Sequence, residues 1–169
     1  QYEVNKEKFD ILINKNLNDN LKKKIDSIKS DNKILLVYDK KINKIFVNKI
    51  IKYLRETGFL LIALEFQGNK RNKNEKSLFN LLNVMIDNKF SKRSIVISLG
   101  GGVLGDLTAL AASLYHRGTI YFNIPTTMTS IIDSCIGGKT AINYKNIINS
   151  IGNYYQPNAV FIFDEIIKE

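Results

Sequence analysis

Apolar positions along this chain follow two rhythms. Phe9–Ile13, Ile34–Asp39, Leu60–Phe66, Ser94–Leu99, Thr119–Ile124 and Ala159–Phe163 are short, nearly continuous runs rich in β-branched and aromatic residues, and they read as buried strands. Between them the period lengthens. Ile45–Arg55 carries an apolar stripe that ends near Gly58, and Ser77–Asp87 places Leu78, Leu81, Leu82 and Met85 on one helical face. Val103, Leu104, Leu107, Leu110, Ala111 and Leu114 repeat that spacing further on. The polar, charged stretch Gln67–Glu75 reads as a loop. Strands that alternate with helices predict an α/β sheet with parallel elements, and neither an internal repeat nor a low-complexity linker interrupts it.

Chemistry concentrates between Ser98 and Lys139. Gly100, Gly101 and Gly102 follow a predicted strand and open a predicted helix, so the backbone can approach a ligand closely. The free amides of the helix start favour an anion, and a phosphate or pyrophosphate is the natural occupant. Gly100, Gly102 and Gly105 satisfy G-x-G-x-x-G in the strand, turn and helix context that the dinucleotide motif requires. The usual ribose-binding acid about twenty residues later is missing, because that region reads Phe122-Asn123-Ile124-Pro125-Thr126-Thr127. Asp106, read as first-turn, also suits a plain dipole cap. Gly137-Gly138-Lys139-Thr140 imitates the end of a P-loop, but Asp133 stands where that motif needs its first glycine.

Composition narrows the class. A chain of 169 residues with 44% hydrophobic positions makes one ordinary domain with a single core. No apolar run approaches the ~20 residues of a membrane span, and no signal segment is read at Gln1. A single cysteine, Cys135, makes a reducing cytoplasm the expectation. The formal charge of +9 comes mostly from lysines scattered through Lys6–Lys92. Without arginine clusters or interleaved aromatics they form a solvated face that draws anionic substrates, not a nucleic-acid reader. His116, the only histidine, cannot build a metal site alone.

Five motifs stand in a recognisable order: GGGVLGD (Gly100–Asp106), HRG (His116–Gly118), PTT (Pro125–Thr127), DSCIGGKTAIN (Asp133–Asn143) and IGNYYQP (Ile151–Pro157). On these the chain resembles the 3-dehydroquinate synthases, sugar phosphate cyclases of the shikimate pathway. The match is dense from Ser94 to Asp164, thinner between Ile34 and Leu78, and very weak before that. The resemblance implies a Rossmann-like, mainly parallel sheet with flanking helices over residues 1–169, followed by a helical metal-binding domain that this chain does not contain. It also implies a homodimer. The cofactor implied is NAD, with the pyrophosphate on Gly101, Gly102, Val103, Gly105 and Asp106, and with Asp39, Lys76, Thr126 and Thr127 as further contacts. For the substrate, a phosphorylated sugar acid, it implies Asp133, Lys139 and Asn149, with Asp133 and Lys139 catalytic. Arg117 is implied to reach the phosphate held by the neighbouring subunit.

The implied reaction converts 3-deoxy-arabino-heptulosonate 7-phosphate to 3-dehydroquinate and phosphate. It proceeds by transient oxidation with NAD, phosphate elimination, re-reduction and an internal aldol step, assisted by a divalent metal, zinc or cobalt. The metal's ligands, a glutamate and two histidines, are expected outside this chain, so the fragment alone should not turn over. Four places depart from the family pattern. Lys73 replaces a cofactor-binding glutamate, Lys41 an asparagine and Ile148 a cofactor lysine, and Ile166-Ile167-Lys168-Glu169 replaces phenylalanine-leucine-x-threonine. The first three predict weaker or altered cofactor affinity on the adenosine side. A different sugar phosphate cyclase, a metal-dependent polyol dehydrogenase and a non-catalytic remnant are the alternatives.

Overall fold

The computed structural model describes residues 9–14, 17 and 19–167. Gln1, Lys168 and Glu169, on which parts of the sequence reading fell, lie outside them. Six parallel strands form one sheet: β1 (Asp10–Asn14), β2 (Lys33–Asp39), β3 (Leu60–Phe66), β4 (Ile95–Gly100), β5 (Ile120–Pro125) and β8 (Ala159–Phe163). Their spatial order is β1-β8-β5-β4-β2-β3. The helices are α1 (Asp19–Asp26), α2 (Lys44–Arg55), α3 (Glu75–Asp87) and α4 (Gly102–Leu114).

Both faces of the four inner strands β8, β5, β4 and β2 are covered, which is why those strands lack polar alternation. Ile34 and Leu36 of β2, with Ile95 and Ile97 of β4 and Phe122 of β5, pack beneath Leu21 and Ile25 of α1 and Phe46, Ile50 and Leu54 of α2. The intervening residues Leu35, Val37, Val96 and Tyr121 face the other way, onto Leu78, Leu81 and Met85 of α3 and Leu104, Leu107 and Leu110 of α4. One strand therefore feeds two cores. The alternation expected of a half-buried strand is hidden, and length and β-branching mark these runs instead.

A helix and a hairpin escaped the sequence reading. Helix α1 has only Leu21 and Ile25 as fully buried anchors, a single i, i+4 pair among lysines. The second is an antiparallel hairpin of β6 (Lys139–Tyr144) and β7 (Ile147–Tyr154), outside the main sheet. Every residue of β7 is exposed, so no apolar period announces it. Lys145 and Asn146 turn the hairpin with φ of 46° and 65°, the paired left-handed geometry that matches strand twist. Gly152 lies where a Cβ would press onto the Thr140 carbonyl and the Ala141 backbone, so only glycine permits this pairing. The loop expected over Gln67–Glu75 holds one short 3-10 turn, Lys70–Asn72, and passes into α3 at Glu75.

Strand order sets the position of the site. The chain leaves β2 outward to β3 and leaves β4 in the opposite direction to β5, so the carboxyl ends of β2 and β4 flank a crevice with no crossover above it. Asp39 ends β2 and Gly100 ends β4.

Candidate functional site

Gly101 is the one residue between β4 and α4, and it caps the helix without any side-chain hydrogen bond. The first amides of α4 thus keep the capacity to donate to a ligand. Around them a cleft is lined by Asp39, Lys41, Gly68, Gly102, Val103 and Thr127, with Gly101 and Thr126 alongside. Thr126 is held by its amide, which donates to the Gly100 carbonyl at 3.0 Å. Thr127 accepts from the Ser130 amide at 3.2 Å, fixing the start of the next turn.

Asp39 is buried, and its carboxylate accepts from the Lys41 amide at 3.0 Å. Gly68 lies directly against it: a Cβ there would stand 2.3 Å from Asp39 Oδ2. The sequence reading missed Gly68 because nothing in a polar loop marks one glycine as a packing requirement. Bare backbone amides, a buried acid at the neighbouring strand end and threonine hydroxyls fit a dinucleotide by their chemistry.

A second cleft of about 450 Å³ lies between α4 and the hairpin, lined by Asp106, Asp133, Lys139, Asn149, Asn153 and Tyr154 among others. Asp133 sits on a π turn, Ser130–Ser134, closed by the Cys135 amide on the Ser130 carbonyl at 2.9 Å. Lys139 begins β6 and pairs with Asp133 at 3.3 Å, both side chains exposed. The structure thus brings together Asp133, Lys139 and Asn149 from three separate segments.

Other residues fall elsewhere than expected. Helix α4 begins at Gly102, so Asp106 lies beyond its first turn and is no dipole cap. It lines the hairpin cleft, apart from the glycine turn. There the Lys73 ammonium donates to Asp106 Oδ2 at 2.5 Å and to Asn149 Oδ1 at 2.6 Å. Burial pushes the Asp106 carboxyl above its ordinary value, although Lys73 pulls it down. Lys73, expected to disturb the adenosine side, is thus committed to the hairpin side. Lys76 is exposed on the first turn of α3 and Ile148 is exposed on β7; neither is among the residues lining the two clefts.

Arg117 is exposed and follows His116 in a kink where both residues hold positive φ, 50° for His116 and 62° for Arg117. Two consecutive non-glycine residues in that region are uncommon and mark a constrained corner. Cys135 is buried, and burial pushes its thiol up, which disfavours the thiolate that a nucleophile needs. Gly105 packs over a buried polar set. Tyr121 Oη lies 2.7 Å from Ser98 Oγ, and Ser98 donates to Asn123 Oδ1 at 2.9 Å. Tyr121 also donates to the Gly105 carbonyl at 3.3 Å. Among the described residues no three His, Cys, Asp or Glu side chains gather to hold a metal, and no helix is long and apolar enough to cross a membrane.

A family described as 3-dehydroquinate synthase N-terminal matches residues 63–169. A 3-dehydroquinate synthase of Clostridium acetobutylicum is 33% identical over 168 residues, covering 99% of this chain and 47% of the relative. Two solved structures share the fold. A 2-epi-5-epi-valiolone synthase from Streptomyces hygroscopicus subsp. jinggangensis 5008, with NAD+ and Zn2+ bound, superposes with a TM-score of 0.83 at 26% identity, over 96% of this chain and 45% of that one. A 2-deoxy-scyllo-inosose synthase complexed with carbaglucose-6-phosphate, NAD+ and Co2+ gives 0.84 at 24% identity, over 94% and 44%. The chain spans about half the length of the relatives it matches.

Proposed function

The chain belongs to the 3-dehydroquinate synthase family, and we propose that it forms the NAD-binding α/β domain of an enzyme that converts 3-deoxy-arabino-heptulosonate 7-phosphate to 3-dehydroquinate and phosphate, a carbon-oxygen lyase. One observation carries this reading: the glycine-turn cleft draws on Gly102, Val103 and Leu104 at the start of α4, and the cleft holding Asp133, Lys139 and Asn149 draws on Asp106 of the same helix. A cofactor laid on the first can thus extend toward a substrate in the second.

NAD, when bound, supplies transient oxidation and re-reduction of a ring hydroxyl. The first amides of α4 receive its pyrophosphate, Asp39 its adenosine side, and Thr126 and Thr127 the remainder. Lys139 supplies positive charge to the substrate's anionic groups, Asn149 hydrogen bonds, and Asp133 holds Lys139 in place while accepting from a substrate hydroxyl. Arg117, on its constrained corner, serves a phosphate across a homodimer boundary. The described residues do not fit a divalent metal, so a zinc or cobalt ion would take its ligands from outside this chain. Burial of Cys135, the single cysteine, suits a reducing cytoplasm.

Isothermal titration of NAD into the protein, followed by assay of phosphate release from 3-deoxy-arabino-heptulosonate 7-phosphate, tests the reading. Saturable NAD binding and release of phosphate are expected from the enzyme whose sequence includes this chain. NAD binding with turnover only of other sugar phosphates would favour a sister cyclase, the second reading that the neighbouring folds support. Absence of NAD binding would leave only the non-catalytic remnant.

A further inference from the structure

A lysine is seldom as buried as Lys73, which is 6% exposed, unless its cation is paired. Here the ammonium is committed twice, to Asp106 of α4 at 2.5 Å and to Asn149 of β7 at 2.6 Å. The same residue grips the hairpin by its backbone. Its carbonyl accepts from the Asn143 amide at 2.8 Å, and Asn143 Oδ1 in turn accepts from the Asn149 amide at 3.0 Å. Asn149 holds a φ of 53°, a conformation that asparagine tolerates but that surrounding bonds must fix. One residue of the loop before α3 thus ties the hairpin to the helix of the glycine turn.

Charge gives the tie a second consequence. The cleft is lined by two carboxylates, Asp106 and Asp133, against one ammonium, Lys139. The Asp106 carboxyl feels Lys73, Asp133 and Lys139 together, so the four charges act as one group. Without Lys73 an anion entering the cleft would meet an excess of negative charge. With it the acids and the cations balance, and Lys139 is left to attract.

We propose that Lys73 is the positioning residue of the hairpin cleft: it fixes Asn149 and Asp106 in place and offsets the Asp106 carboxylate, so that the cleft admits a phosphate-bearing anion. This deepens the reading of the cleft as the substrate site and rests on it. Lys73 does not line the cleft itself, and its effect passes through Asp106 and Asn149.

The test uses the full chain, titrated calorimetrically with inorganic phosphate and, separately, with NAD. Lys73→Met is expected to weaken phosphate binding about tenfold, the scale of one uncompensated nearby charge, while NAD affinity stays within about threefold. Lys73→Arg, which keeps the charge, is expected to restore phosphate affinity to within about threefold of the parent. The pair Lys73→Met with Asp106→Asn removes both charges while the Asn143 bonds to Asn149 and to the backbone of residue 73 persist, and it is expected to do the same. Unchanged phosphate affinity in Lys73→Met overturns the proposal, as does equal loss of phosphate and NAD, which marks a purely structural role. If Lys73→Met fails to fold, the uncharged pair decides: parental phosphate affinity supports the offset, and a tenfold loss overturns it. A parent that binds neither probe overturns instead the site reading beneath it, an outcome distinct from variants that match a binding parent.

Discussion

At the scale of single residues, the site depends on contacts that composition does not reveal. Asp39 is buried at the end of β2 against Gly68, where an added Cβ would come within 2.3 Å of Asp39 Oδ2. In Gly68→Ala the carboxylate must rotate and give up the Lys41 amide. Losing a bond to a charged acceptor costs about 1.5–3 kcal/mol, which translates to NAD affinity reduced roughly tenfold or more if Asp39 holds the cofactor. Titration of NAD into Gly68→Ala checks this, and parental affinity would remove Asp39 from the cofactor site. The resemblance implies one substrate for Asp133, Lys139 and Asn149, and the three side chains line one cleft. It assigned Asp106 to the glycine turn because the motif letters run on from Gly105. The helix instead carries that side chain around to the hairpin side, to Lys73.

Elements stand or fall on their ends. Asn74 caps α3 by accepting from the Ser77 amide at 3.0 Å, and Lys73 immediately precedes that cap. Asn74→Ala removes one acceptor from the helix start and is expected to cost about 1 kcal/mol. Hydrogen exchange should report the loss as faster exchange in the first turn of α3. If the cap also sets the Lys73 backbone, the Asn143 amide that bonds it will exchange faster too. Unchanged protection at both places would show the cap to be redundant. Long, densely apolar elements were legible because each buries a whole face. Helix α1 and strand β7 were not, for opposite reasons. The first buries too little to show a period, and the second buries no side chain and is held by pairing with β6.

For the whole molecule, one tie joins the far end of the sheet to its flanking helix. Glu165, just after β8, accepts from Lys49 of α2 at 2.8 Å and from the Leu17 amide at 2.7 Å. Burial pushes the Glu165 carboxyl up, but Lys49 and the Leu17 amide more than offset it and hold it below the ordinary value. A carboxyl lowered by folding contributes stability above its unfolded pKa and loses it as pH falls through its folded one. Lys49→Met is therefore expected to cost up to about 1 kcal/mol at neutral pH, a partly exposed pair being worth no more. The difference from the parent should shrink between neutral and acid pH, and vanish once the carboxyl is protonated in both the folded and the unfolded state. Denaturant melts at neutral and acid pH measure it, and a difference that persists in acid would assign the effect to packing of the lysine stem. The sequence by itself determined the alternation of strands and helices, the glycine turn and the family, because each rests on local periodicity or on motifs contiguous in the chain. Only the tertiary structure decided that β2 and β4 lie side by side with the crevice at their ends, that an exposed hairpin forms one wall of the second cleft, and that Lys73 meets Asp106 and Asn149. Those meetings join residues 33 and 76 positions apart, and no local rule of spacing reaches across such separations.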